Sequence, residues 1–360
     1  MKVLFYFGVF ARIGGIEEFT KDLASVLCVN GMEVSIVCAS LKSPILDEMG
    51  RIGVKVQRIP FYWGCRWNLP DYVLLPFALH QLNKADVVIH QKPFKKWFYK
   101  LFSRKPKHVY ITAYRPREQF RDASTLNFFF SWFDHIFTQA TLFKEDLRKG
   151  GVNCSISVLP YTPPQGASVL PMPFEKNKVL RIAMMGRIEP QKNPFYAIEI
   201  ISGLSHCLKQ SGIGVEFHVY GSGSLLEKVR SFADQQGVTV VFHGVYQRKD
   251  VPGIVAENDC FLISSVSEGQ CIVALEVLAG GRPLFATAVG ALPDILRTPV
   301  RGALIPQGNS EKAISIILDW LEENQPISPE SIQGSYKDDY DGEAVANQYI
   351  GVFQNLVGDV

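Results

Sequence analysis

Short apolar runs alternate with longer amphipathic ones through the first half of the chain. Val3–Phe7, Glu33–Cys38, Val54–Ile59, Asp86–Ile89, His108–Thr112, His135–Thr138 and Ser155–Leu159 are rich in Val, Ile and aromatic residues. They mostly lack strict alternation, which predicts strands covered on both faces. Between them, Glu17–Val29 sets Phe19, Leu23, Val26 and Leu27 on one stripe and stops at Asn30-Gly31, the pattern of an amphipathic helix. Pro70–Leu82 and Leu142–Lys149 repeat it. Strand, helix, strand in succession predicts a parallel sheet with helices on both sides.

The pattern breaks at Leu159-Pro-Tyr-Thr-Pro-Pro-Gln-Gly, with further prolines at Pro171 and Pro173. Proline fixes φ and cannot join a central ladder, so this stretch reads as a linker. Alternation then restarts with strands Arg181–Met185, Val215–Tyr220, Thr239–Phe242, Cys260–Ile263, Leu284–Ala286 and Ala303–Ile305. Helical patterns separate them at Pro194–Gln210, Leu225–Gln236, Val251–Glu257, Ile272–Ala279, Pro293–Leu296 and Glu311–Glu322. Two doubly wound α/β domains follow, residues 1–165 and 166–339. A last stretch, 340–360, places Val345, Tyr349, Val352 (or Phe353) and Leu356 at helical spacing.

Composition adds limits. A chain of 360 residues is long for one core and comfortable for two. At 47% hydrophobic and 20% charged it is neither disordered nor fibrous. No apolar run approaches the roughly 20 residues of a spanning helix. The seven cysteines lack a C-x-x-C pair, which argues against a disulfide scaffold or thiolate zinc site and for a reducing compartment. Val3–Phe10 reads as a buried strand rather than a leader, because Arg12, Gly14-Gly15 and Glu17-Glu18 follow without a small-residue cleavage site. Charge is uneven: residues 1–170 hold 22 Lys/Arg against 13 Asp/Glu, the rest 15 against 22. A basic first half suits a phosphate-bearing partner or an anionic membrane surface.

Three stretches carry candidate chemistry. Gly14-Gly15, between the first strand and helix, is either a tight turn or a place where backbone approaches a phosphate. Arg187 and Lys192, in Gly186-Arg-Ile-Glu-Pro-Gln-Lys-Asn, follow the first strand of the second domain, the edge where open α/β sheets bind ligands. They are either two surface cations or a pair converging on one diphosphate, Arg as a fork and Lys as a point charge. Glu268 and Glu276, in Ser267-Glu-Gly-Gln-Cys-Ile-Val-Ala-Leu-Glu, flank a glycine-containing strand-to-helix turn. A carboxylate beside a phosphate site needs hydrogen-bond donors, which sugar hydroxyls supply.

Together, Gly14-Gly15-Ile16-Glu17, Gly186-Arg187 with Lys192-Asn193, Tyr220-Gly221-Ser222-Gly223, and Ser267-Glu268-Gly269 through Glu276 to Gly281-Arg282-Pro283 resemble the retaining glycosyltransferases of the GT-B fold. The resemblance is to the large bacterial sugar-nucleotide-dependent family, family 4 type, with its Glu-x7-Glu motif. It spans about Arg181 to Gly308 in the second domain but only the opening strand, Gly-Gly and helix in the first. It implies two Rossmann-like domains facing a central cleft, with the helix at 340–360 crossing back onto the first. It further implies that Arg187 and Lys192 hold the donor diphosphate, that Glu268 contacts the donor sugar and that Glu276 binds the ribose. Gly14, Gly15, Gly186, Gly221, Gly269, Gln270 and Cys271 complete the donor-binding set. The family usually has a bulky apolar residue where Gln270 stands. It commonly places a histidine after the strand His108–Thr112, where this chain has Tyr114; His90, at the end of the preceding strand, is either a substitute for it or, more in keeping with a lone histidine there, a structural residue. No cofactor and no metal is expected.

The segment 92–107 interleaves seven Lys/Arg with five aromatics and no acid; Lys95, Lys96, Trp97 and Lys100 lie at its centre. A helix lying in a membrane interface fits it better than a plain surface helix, and no recognition fold supports nucleic acid. Leu126–Phe133 adds a second aromatic run, either a buried helix or a further hydrophobic contact. The expected function is transfer of a sugar from a nucleotide-sugar donor to a glycan or glycolipid acceptor, a lipid-linked oligosaccharide or lipopolysaccharide, in bacterial surface polysaccharide synthesis. The expected location is cytoplasmic, peripheral on the inner face of the cell membrane. A catalytically silent glycan-binding relative and a nucleotide-sugar epimerase of the same fold are the alternatives.

Overall fold

A computed structural model describes residues 1–9, 15–39, 43–59, 80–91, 106–112, 115–119, 122–161, 179–324 and 328–358. Gly14, Tyr114, Lys95, Lys96, Trp97 and Lys100 lie outside the described residues. The chain forms two compact units, Met1–Thr162 with Gly342–Val360, and Pro163–Asp341.

The first unit holds strands β1 (Lys2–Val9), β2 (Glu33–Ala39), β3 (Lys55–Ile59), β4 (Val87–His90), β5 (Lys107–Ile111), β6 (His135–Thr138) and β7 (Ser155–Val158). They form one parallel sheet in the order β3-β2-β1-β4-β5-β6-β7. Helix Gly15–Val29 buries Phe19, Leu23 and Leu27, three members of the stripe its sequence presents. Helix Ala123–Phe130 starts at Asp122, whose carboxylate accepts from Thr125 N at 2.8 Å, and it buries Leu126 and Phe130. Phe133 is buried beyond its end while Phe128 is exposed, so most of the aromatic run at 126–133 belongs to the core.

The helix Gly342–Gly358 belongs to this unit. Its Tyr349 ring packs on Phe137, and the phenol donates to the Pro160 carbonyl at 2.9 Å. Phe19 stacks on Tyr161 at 4.1 Å beside it. A buried phenol without such an acceptor is costly, so this bond fixes how the helix seats.

The second unit holds β8 (Val179–Met185), β9 (Gly214–Tyr220), β10 (Val240–Gly244), β11 (Cys260–Ile263), β12 (Leu284–Thr287) and β13 (Gly302–Ile305). The sheet is parallel in the order β10-β9-β8-β11-β12-β13. Helices Pro194–Gln210 and Ser310–Glu323 cover one face through Ile198, Ile201, Leu204, Ile317 and Trp320. As Pro44–Arg51 does in the first unit, one α-helix of this unit escapes the sequence pattern, Pro329–Tyr340. Its buried Ile332, Tyr336 and Tyr340 recur every four residues, but Gly334, Ser335 and a buried Gln333 dilute the signal. Ser328 caps its start, accepting from Ser331 N at 3.1 Å, with Pro329 in the first turn.

Two arginines are fully buried here. Arg282 donates to the Asn258 and Ala256 carbonyls, and Arg301 to the Ile295 carbonyl and, at 2.6 Å, to Asp339. Buried charges persist only when hydrogen-bonded in this way, so Arg282 reads as a structural member of its Gly-Arg-Pro segment.

Candidate active site

In each sheet the strand order reverses once, between β1 and β4 and between β8 and β11. Connections leave such a point in opposite directions and open a crevice beyond the carboxyl ends of the strands. In the second unit the segments bordering it are 186–193, after β8, and 264–271, after β11.

Short bonds tie these segments together. Val266 N donates to the Gln191 carbonyl at 2.9 Å, and Gln191 Nε2 to the Ser267 carbonyl at 2.9 Å. Ser264 Oγ reaches the Lys192 and Asn193 carbonyls. At the centre, Lys192 Nζ donates to Glu268 Oε1 at 2.6 Å, and Ser265 Oγ donates to the same oxygen at 2.6 Å. The lysine and glutamate side chains are only 16% and 7% exposed, so solvent screens the pair weakly. Burial opposes the lysine charge, but the Glu268 carboxylate bonded to it outweighs that cost, and the Lys192 pKa lies above the ordinary value. Arg187 is exposed and donates to Gln191 Oε1 at 3.4 Å, leaving its guanidinium at the surface of the same loop.

Glycines make room for this arrangement. Gly186 has φ +134°, and a Cβ there would meet Lys192 Cε at 3.5 Å. Gly221 has φ +135°, and its Cβ would lie 1.8 Å from the Gly186 carbonyl oxygen, so no larger residue fits. Gly221 therefore has a packing role that holds the Gly186 turn.

Two helices begin at the crevice, Pro194–Gln210 and Ile272–Ala279. Their N-cap residues, Asn193 (φ +48°) and Cys271 (φ +63°), are left-handed, and neither side chain caps its helix. Helix N-termini of this kind favour an anion. Asparagine tolerates the conformation, whereas a cysteine pays about 1 kcal/mol or more for it. Cys271 is buried beside Glu268 and Lys192, and burial pushes its thiol up to about 12. It is a thiol at neutral pH, not a nucleophile. Gln270 is buried, and the Gly269 carbonyl accepts from Ala291 N at 2.9 Å.

Glu276 is half-buried one turn into the second helix. Its charge acts on the Tyr246 phenol, whose pKa is raised by burial first and by Glu276 and Cys271 next. Tyr246, on the loop after β10, is a site neighbour that the sequence reading missed; its position beyond a strand end was the available signal. Ser265 was missed likewise, lying inside a motif read only for its glutamates.

In the first unit, Gly15 opens the helix Gly15–Val29. His90 closes β4 but is fully buried, with Tyr6, Trp132 and Phe133 packed edge-on around it. Its Nε2 lies 3.0 Å from His108 Nδ1. Burial, then His108, hold its pKa well below the usual value. This is a core histidine, in contrast to the exposed role that replacing the family histidine would need. No group of three or more His, Cys, Asp or Glu side chains that could hold a metal ion occurs among the described residues.

Two parallel sheets, each with its strand order reversing at one switch point, fit the GT-B class of fold. A family model described as glycosyl transferases group 1 matches residues 173–337, and one described as Glycosyltransferase Family 4 matches residues 13–161. The chain belongs to the family 4-type glycosyltransferases of the GT-B fold. Among solved structures it is similar to the lipopolysaccharide outer core galactosyltransferase WaaB in its apo form, with TM-score 0.80 and 16% identity over 99% of this chain and 100% of that one. It is also similar to Anabaena Alr3699/HepE in complex with UDP, with TM-score 0.76 and 15% identity over 99% and 100%. A D-inositol 3-phosphate glycosyltransferase of Mycobacterium sp. (strain KMS) is 32% identical over 127 residues, 34% of this chain. That alignment spans 28% of the relative's own length.

Proposed function

We propose that the protein is a retaining, metal-independent glycosyltransferase that moves a hexosyl group from a nucleotide sugar to a membrane-held glycan. The observation that carries this reading is the Lys192–Glu268 pair, with Arg187 on the same loop, at the switch point of the second sheet. Cations there offset charge on a departing diphosphate, and a carboxylate there accepts from sugar hydroxyls. Glu276 takes the ribose, and the amides of Gly269, Gln270 and Cys271 meet phosphate or sugar. Alr3699/HepE binding UDP supports a nucleotide-sugar donor.

In the reaction, the bond from the anomeric carbon to the diphosphate oxygen breaks and the acceptor hydroxyl attacks from the same face. Its proton passes to the departing phosphate, so no side-chain base is required. Arg187 and Lys192 stabilise the charge that forms on that phosphate. Turnover of a panel of UDP- and GDP-sugars with lipid-linked and lipopolysaccharide acceptors tests this. Product of inverted configuration, or no transfer to any glycan, overturns it. Glu276→Ala should raise the donor KM with little change in kcat, because a ribose contact is present before and during reaction.

The acceptor reading rests on the basic first half and the segment 92–107, together with the likeness to WaaB. Among the described residues no helix is long and apolar enough to cross a membrane. Peripheral attachment on the cytoplasmic face through 92–107 should weaken as salt rises, since each cation near an anionic surface contributes about 1 kcal/mol. Lys95→Glu, Lys96→Glu and Lys100→Glu combined should move the protein from anionic vesicles to the supernatant. Equal sedimentation of the wild type and this variant refutes the attachment.

A further inference from the structure

Glu268 Oε1 accepts two hydrogen bonds, from Lys192 Nζ and from Ser265 Oγ, each at 2.6 Å. Ser265 is itself held, its carbonyl accepting from Thr287 Oγ1 at 2.6 Å, so its hydroxyl stays beside the carboxylate. With side chains 16% and 7% exposed, lysine and glutamate cannot both turn to water when an anion arrives. The cation that would meet a diphosphate therefore already has an anion of the protein's own upon it.

We propose that Glu268 is a built-in counter-anion for Lys192 that changes partner when a sugar-bearing diphosphate binds, so that the site holds the intact donor in preference to the spent nucleotide. The inference rests on the nucleotide-sugar reading and deepens it. When the intact donor binds, the diphosphate takes Lys192, and the hydroxyls of the attached sugar give Glu268 new donors. Every buried charge keeps a partner. When only the nucleoside diphosphate is present, the phosphate still competes for Lys192, but no sugar hydroxyl replaces the lysine on Glu268. Ser265 Oγ is left as its donor, with two anions contending for one ammonium. The carboxylate thus disfavours the product without penalising the substrate, and Glu268 acts in product release as well as in sugar contact.

Glu268→Gln keeps the side-chain size and an oxygen for Ser265 but removes the charge. Calorimetry with UDP, GDP, inorganic diphosphate, the parent nucleosides and UDP-glucose tests the exchange on the full chain. The variant should bind the nucleoside diphosphate and inorganic diphosphate roughly three- to tenfold more tightly than the wild type. Nucleoside affinity should not change, which separates lost charge from a general distortion of the pocket. Nucleotide-sugar affinity should not rise, so the ratio of product to donor affinity increases. Diphosphate binding that is unchanged or weaker in Glu268→Gln, with the wild type binding normally, overturns the exchange and leaves the donor reading standing. Absence of diphosphate binding by the wild type overturns both. Should Glu268→Gln not fold, Ser265→Ala carries the test, because it leaves the ion pair but strips the carboxylate of its remaining donor. It should weaken nucleoside diphosphate binding several-fold, and equal or tighter binding refutes the proposal.

Discussion

The two sheets reverse their strand order at equivalent points, yet the polar pairs made by a residue that closes or follows the adjoining strand, β4 or β11, differ in kind. In the second unit the pair is Lys192 with Glu268, charged and bordered by exposed Arg187. In the first it is His90 with His108, neutral and enclosed by Trp132, Phe133 and Tyr6. Aromatic enclosure desolvates the histidines and lowers both pKa values, His108 to about 4. The same topology therefore carries a charged pair at its edge in one unit and a sealed neutral pair in the other. Placement at a switch point makes a site possible; what covers the polar pair decides whether it is one.

The comparison breaks first on Lys192→Ala. Loss of one well-placed donor to a developing anion should lower kcat/KM by about 100-fold or more. It also leaves Glu268 buried without its cation, so the melting temperature should fall. Arg187→Ala should lower turnover strongly with little change in melting, because that side chain is exposed. Turnover of either variant within twofold of wild type removes the site from the second unit. His90→Asn is the counterpart in the first unit. It should cost stability while turnover stays within about threefold, and a hundredfold loss of turnover would return His90 to the chemistry.

Acid sharpens the contrast. Burial keeps His90, His108 and His135 neutral in the folded protein, the last two with pKa values near 4, against an ordinary 6.5. The unfolded chain binds protons that the folded chain does not, so the stability these groups hold above pH 6.5 is lost as pH falls toward 4. The denaturation midpoint should drop between pH 7 and 5, and His108→Asn should flatten that slope. A midpoint independent of pH across this range contradicts neutral burial.

Smaller effects test local claims. Tyr349→Phe removes the phenol from the Pro160 carbonyl and should cost about 1 kcal/mol by denaturant unfolding. Cys271→Gly should be less destabilising than Cys271→Ala by about 1 kcal/mol, although glycine removes more atoms, because alanine keeps a Cβ at φ +63°. An alanine variant equal to or more stable than the glycine one denies the strain at this turn.

Much of the fold was legible because apolar period and proline placement report local structure directly. Strand Cys260–Ile263 and helix Ile272–Ala279 fall where the pattern puts them. Helix Pro329–Tyr340 was not legible, because its apolar contacts are spaced among Gly, Ser and Gln whose burial comes only from packing. In the site, the motif showed Arg187, Lys192, Glu268 and Glu276 as chemistry-bearing positions along the chain. It could not show that Lys192 and Glu268, 76 residues apart, share a 2.6 Å bond and a hydroxyl from Ser265.

What the sequence by itself determined is the succession of strands and helices and the residue types waiting at their ends, since both follow from interactions among near neighbours. The tertiary structure alone decided which of those residues meet, which are dried and which keep their charge. His90 closes a short apolar strand and Glu268 lies on the loop after another, and in the sequence both look alike as polar residues near a strand end. One is sealed under Trp132 and Phe133, the other faces a lysine brought from a distant loop. Desolvation and ion pairing act through space, and only the folded chain sets those distances.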